Sequence, residues 1–284
     1  MLRGYYELTK PGIVYGNLLS TLAAFLYASR FSFPPALLVA VLGGLGLVIA
    51  SACVFNNFFD RDIDRQMART SGRALARGEI ESAAALTYGI ILGIAGIAIL
   101  FVWVNVLSAA LALCGFAVYV FVYTFAKRHT HWGTMIGSIS GSVPVVVGYS
   151  AVRDTLDMQA LILFIVLVLW QMPHFYAIAL YRLDEYATAK IPVLPIRRGM
   201  RATKQRVLAY IVAFTVVSCS LFAIGTEGYV YLTVMIAVGC AWFWRSLQEF
   251  SAPDNARAGR SVFLFSLIVL VVFSCVLPLG TVLP

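Results

Sequence analysis

Residues 35–64 read PALLVAVLGGLGLVIASACVFNNFFDRDID. From Pro35 to Phe55 the run is apolar or small. It then passes, with no Gly or Pro to stop it, into Asn56-Asn57-Phe58-Phe59-Asp60-Arg61-Asp62-Ile63-Asp64. A helix rises about 1.5 Å per residue, so about 20 apolar residues cross the roughly 30 Å of bilayer hydrocarbon. The run is therefore a membrane span that delivers acids to one membrane boundary. Asn56, Asp60 and Asp64 recur at i, i+4 and i+8 and stack on one helical face. Two like charges at that spacing repel, which points to a cation between them. Hard oxygen ligands from one or two carboxylates, completed by phosphate oxygens, describe a magnesium site.

The rest of the chain agrees with a membrane solvent. Of its 284 residues, 61% are apolar and 12% are charged, and the mean hydropathy is +0.88. An average soluble domain is about 25% charged, so too little charge remains to solvate a globular surface and membrane lipid must serve instead. Nine spans follow, at about 11–29, 34–58, 82–104, 106–126, 132–152, 158–180, 207–225, 228–244 and 262–282. The third and fourth meet at Asn105, and the seventh and eighth at the turn Gly225-Thr226-Glu227-Gly228. With that division, 19 of the 21 basic residues fall at one set of helix ends and only Arg30 and Arg153 at the other. Basic loops stay cytoplasmic, so the N-terminus is expected in the cytoplasm.

The net charge of +8 is thereby an orientation signal and not a nucleic-acid footprint. The fold expected is all-α, one transmembrane domain over 1–284, with its active site at the cytoplasmic side. The two long charged loops, four spans apart, fit four-helix units with a ninth helix appended. The five cysteines form no C-x-x-C pair and are expected to be small buried hydrophobes. The short opening segment carries neither a signal-peptide nor a transit-peptide pattern, which favours a bacterial inner-membrane protein.

A second charged cluster follows the sixth span, at Tyr181-Arg182-Leu183-Asp184-Glu185-Tyr186. Two acid-bearing helix ends on one side suit two magnesium ions flanking one diphosphate, neutralising charge on a leaving group. Either Asp184 or Glu185 serves as the ligand. Arg61, Arg65, Arg69, Arg73 and Arg77 recur every four residues and on a continuous helix would make a basic ladder; Arg65 and Arg77 read as ordinary helix pairs. His129 and His131 read as helix-end residues. His174, inside the sixth span, has three readings: an inter-helix hydrogen bond, a porphyrin ligand, or a wall of the acceptor pocket. The chain has no phosphate-binding G-x-x-x-x-G-K-[ST] loop, no G-x-S-x-G elbow and no H-E-x-x-H.

The run Asn56-x-x-x-Asp60-x-x-x-Asp64 resembles the first aspartate-rich motif of the intramembrane polyprenyltransferase superfamily. The longer string Asp60-Arg61-Asp62-Ile63-Asp64, Met67 and Arg69-Thr70-x-x-Arg73 resembles the protohaem IX farnesyltransferase family. So do Leu8-Thr9-Lys10-Pro11-Gly12, Lys127-Arg128-His129, Trp170-Gln171-Met172-Pro173-His174 and Ile191-Pro192-Val193-Leu194-Pro195. Two positions depart from the pattern: Ala74 stands where a proline is common, and Glu185 where an aspartate usually precedes the tyrosine.

The resemblance implies a nine-helix bundle that transfers farnesyl from farnesyl diphosphate to the 2-vinyl group of haem B, giving haem O. By position it implies that Asn56, Asp60, Asp64 and one of Asp184 and Glu185 hold magnesium and diphosphate. It implies that Arg61, Arg69, Arg73, Lys127, Arg128 and Arg182, with His174, meet the substrates. Haem-copper oxidase assembly or haem A synthase would receive the product. Faces of Phe55, Phe58, Tyr119, Tyr123 and Phe175 suit an allylic cation. Two alternatives stand beside it: the same chemistry on an aromatic quinone precursor, and an anionic-lipid transporter. The second is disfavoured by acids at helix ends and not at the midplane.

Overall fold

Each apolar run is helical in the computed structural model, which describes residues 2–251 and 253–282. Nine helices among the described residues are long and apolar enough to cross a membrane. They are α1 (Pro11–Ser29), α2 (Pro35–Asp64), α3 (Ser82–Trp103), α4 (Val106–His129), α5 (Gly133–Arg153), α6 (Met158–Tyr181), α7 (Leu194–Ala223), α8 (Tyr229–Ser251) and α9 (Asn255–Leu279). The chain is a multi-pass membrane protein. Short helices at Leu2–Leu8, Ala74–Arg77 and Leu183–Thr188 lie between or before the spans.

The ends follow local chemistry. Pro11 and Pro35 open α1 and α2, where a missing N–H costs nothing. Side-chain oxygens of Asn105, Asp157 and Asp254 accept from Ser108, Ala160 and Arg257 N–H groups at 2.7, 3.1 and 3.0 Å, capping α4, α6 and α9. Four helices outrun by six residues or more the apolar segments that announced them: α2 runs to Asp64 and not 58, α7 starts at Leu194 and not 207, α8 runs to Ser251 and not 244, and α9 starts at Asn255 and not 262. Apolar runs stop where lipid stops. In α7, α8 and α9 the helices continue through arginine, lysine, glutamine and alanine, which are good helix formers.

The helices close into a ring. Helix α2 packs against α1 and α3, α5 against α1, α4 and α6, and α7 against α6 and α8. Helix α9 packs against α6, α8 and α1. The ninth helix is thus a closure between the two halves, and not an appendage to one of them. Helices α5 and α6 are the most enclosed, with 61% of their apolar windows buried against 22% for α3. Their polar residues therefore pair internally: Gln171 donates to Ser142 Oγ at 2.9 Å. Lipid-facing positions carry Ile90, Ile91, Ile94, Phe121 and Phe125.

Small residues let backbones touch, as packing without a strong hydrophobic drive requires. A Cβ on Gly96 of α3 would stand 2.6 Å from the Gly44 carbonyl of α2, and one on Gly148 of α5 would stand 2.2 Å from the Thr21 carbonyl of α1. The cysteine expectation fails in part. Cys53 is buried, but Cys114, Cys240 and Cys275 are exposed on the helix surface. In a lipid solvent an apolar side chain has no need to face inward.

Candidate active site

Helix α2 turns Asn56, Asp60 and Asp64 inward, at 3%, 7% and 5% exposure, while Asp62 faces out. Each inward acid has a base. The Lys127 ammonium of α4 donates to Asp60, and Arg128 Nη2 lies 3.3 Å from Asp60 Oδ1 while also donating to the Phe59 carbonyl. Arg73 Nη1 donates to Asp64 Oδ2 at 2.7 Å. Lys127 also sits 5.1 Å from the Tyr123 ring centre. Tyr123 stacks on Tyr119 at 5.2 Å within a π-helical turn, Val118–Tyr123, inside α4. Such turns are frequent at functional sites.

The arginine ladder does not form. Helix α2 ends at Asp64, where Thr70 Oγ1 donates to the Asp64 carbonyl at 3.1 Å, and residues 65–73 turn back. The arginines therefore part ways. Arg61 donates to the Phe58 carbonyl of its own helix and lies over the Phe58 ring. Arg65 donates to the Ala76 carbonyl and Arg77 to Glu79. Arg73 and Arg69 turn to the site. Arg69 Nε lies 3.9 Å from Glu185 Oε2, which joins the two charged clusters. Arg182 Nη1 holds the other oxygen, Glu185 Oε1, at 2.5 Å. Asp184 is exposed, so of the two adjacent acids Glu185 is the one turned inward.

One participant was quoted from sequence only within the opening motif Leu8–Gly12 and given no role at the site. Lys10, in the left-handed conformation (φ 50°), donates its ammonium to Asn56 Oδ1. Burial pushes this ammonium down to about 8, with the nearby Arg73 and Lys127 charges pushing the same way. The signal available in sequence was a lysine directly before Pro11 at the mouth of a span. His174 stands elsewhere, on the face of α6 toward α9: its Nδ1 is 2.7 Å from Ser266 Oγ and its ring stacks on Trp170 at 4.9 Å. His129 binds the Phe125 carbonyl of its own helix at 2.8 Å.

Three carboxylates (Asp60, Asp64, Glu185) thus meet six cations (Lys10, Arg69, Arg73, Lys127, Arg128, Arg182), a surplus of three positive charges. Such a surplus in a largely buried site calls for a polyanion. Glu185 Oε2 is buried with no hydrogen-bond partner, and so is Asn56 Nδ2. Among the described residues, no three acids, histidines or cysteines make a protein-only metal cage. The donor set is hard oxygen, few in number and beside an anion site. That fits magnesium, which binds through one or two carboxylates plus substrate phosphates.

Buried acids and a surplus of bases gathered at one end of a helical membrane bundle suit a phosphorylated, lipid-like ligand. Residues 17–268 match the UbiA prenyltransferase family, and the chain belongs to it; it is a prenyltransferase. The chain is 45% identical to the protoheme IX farnesyltransferase of Sodalis glossinidius, over all of this chain and 96% of that protein. It is 46% identical to that of Yersinia enterocolitica, over 95% and 92%. A solved digeranylgeranylglyceryl phosphate synthase has the same fold, with a TM-score of 0.81 at 19% identity over 99% of this chain and 98% of that one. So does a UbiA homolog from Archaeoglobus fulgidus bound to GPP and Mg2+, with a TM-score of 0.70 at 16% identity over 94% and 99%.

Proposed function

We propose that the protein transfers the farnesyl group of farnesyl diphosphate to the 2-vinyl group of haem B, giving haem O and diphosphate. The observation that carries the diphosphate half is the surplus of bases around Asp60, Asp64 and Glu185. The acceptor rests on near-full-length similarity to bacterial protoheme IX farnesyltransferases. The 19-to-2 split of basic residues supports a cytoplasmic site in the bacterial cytoplasmic membrane. Haem A synthase or haem-copper oxidase assembly would then consume the product.

Asn56, Asp60, Asp64 and Glu185 would hold magnesium, which when bound neutralises charge on the leaving diphosphate. Lys10, Arg69, Arg73, Lys127, Arg128 and Arg182 grip the phosphate oxygens; arginine suits bidentate contact. The allylic C1–O bond breaks with its electron pair going to diphosphate. The vinyl π electrons form the new carbon–carbon bond to C1. Water adds to the resulting cation and loses a proton. Tyr119 and Tyr123 offer aromatic faces beside the grip, and the surrounding helices exclude bulk water from the first cation. His174, bonded to Ser266 of α9 and stacked on Trp170 away from the charged set, is read as an inter-helix hydrogen bond.

The test is purified protein in nanodiscs with haem B, farnesyl diphosphate and magnesium, read by mass spectrometry. A haem heavier by one farnesyl group and one water is expected. Transfer to an aromatic quinone precursor in place of haem would keep the diphosphate site and reject the acceptor.

A further inference from the structure

At the same end as the charged site, but outside it, α7 and α8 part to leave an open groove of about 570 Å³. Its rim carries Arg201 and Lys204, and its floor carries Leu208, Leu247 and Phe250. The Lys204 ammonium donates to the Phe250 carbonyl at 3.0 Å, which tethers the base to the edge of the floor. The surroundings are one-signed. Arg197, Arg198, Arg201, Lys204 and Arg206 crowd the first turns of α7, and none has an acid partner within ion-pair distance among the described residues. A backbone kink at Gly199 (φ 82°, ψ 166°) divides a short interfacial turn from the spanning part of α7. The groove therefore lies where α7 leaves the hydrocarbon.

We propose that this groove binds an acidic phospholipid, with its phosphate on Arg201 and Lys204 and an acyl chain along Leu208, Leu247 and Phe250. Charge complementarity selects the occupant. Unpaired cations beside an apolar floor, at the depth of lipid headgroups, match an amphiphile with a negative head, and basic pockets between spanning helices bind such heads. A zwitterionic lipid offers the same chains but no net charge to the rim. A soluble anion offers the charge but leaves the floor uncovered. None of the groove residues belongs to the diphosphate grip, so lipid binding is separable from turnover.

Native mass spectrometry of the full chain in detergent, with dioleoyl phosphatidylglycerol or dioleoyl phosphatidylcholine added, reads the site directly. Wild type is expected to retain phosphatidylglycerol at least five-fold better than phosphatidylcholine. R201Q/K204Q is expected to lose that preference, and R30Q/R153Q, at the opposite helix ends, to keep it. A photoreactive phosphatidylglycerol on wild type should label peptides 200–208 and 247–251, which keeps the test independent of how the variant folds. Undiminished preference in R201Q/K204Q, labelling confined to other helices, or equal thermal stabilisation by inorganic phosphate would each overturn the proposal.

Discussion

Asp60 has Lys127 and Arg128 as partners and sits in a water-poor site, so changing any member exposes the others. Asp60→Ala should lower turnover by at least 100-fold while the protein still inserts, measured as haem product per folded protein. Lys10→Met should act on binding: KM for farnesyl diphosphate rises about ten-fold, the effect of roughly 1.4 kcal/mol of lost charge-assisted contact. Glu227, at the far end of the bundle, offers a pH test. Burial pushes its carboxyl from 4.5 up to about 8, and both its oxygens lack hydrogen-bond partners. Between those values the folded protein keeps a proton that the unfolded chain has lost. The group's contribution is therefore full below 4.5 and gone above about 8. Glu227→Gln should raise Tm at pH 9 by roughly 2–4 °C, about 1 kcal/mol, and change it little at pH 5. At this scale the acids were legible because i, i+4 spacing fixes a helical face. Lys10 was not, since 46 residues separate it from Asn56 and only tertiary packing joins them. The choice between Asp184 and Glu185 needed the register of the short helix that carries both.

Among elements, close backbone approach makes the sharpest demand. Gly96→Ala would put its Cβ 2.6 Å from the Gly44 carbonyl and 2.8 Å from the Val48 amide nitrogen, neither of which can swing aside. Loss of about 1–3 kcal/mol is expected, seen as a lower midpoint in thermal unfolding. Gly43→Ala, where nothing lies within 4 Å, is the matched control and should be neutral. All nine spans were readable from apolar length, because lipid imposes a length on every crossing. Their extensions at the charged ends were not, because beyond the hydrocarbon that constraint lapses. The arginine ladder misled for a related reason. Four-residue spacing means a face only while the helix lasts, and Thr70 draws the chain back onto Asp64.

For the whole molecule, each inward carboxylate already has a basic partner. Chelating divalent metal should therefore stop turnover but move Tm by little, and added magnesium should restore the rate. Orientation is also testable: a cysteine introduced at Ser71 should be blocked by a membrane-impermeant thiol reagent only in inverted vesicles, and one at Thr155 only in right-side-out cells. Finally, the charged site draws on residues 10 to 185, whereas the ring closes only when α9 meets α1. During synthesis the chemistry is thus encoded in the first two-thirds of the emerging chain, and the last third arrives as its enclosure. A chain ended after the short helix Leu183–Thr188 would carry every charged site residue and an open seam.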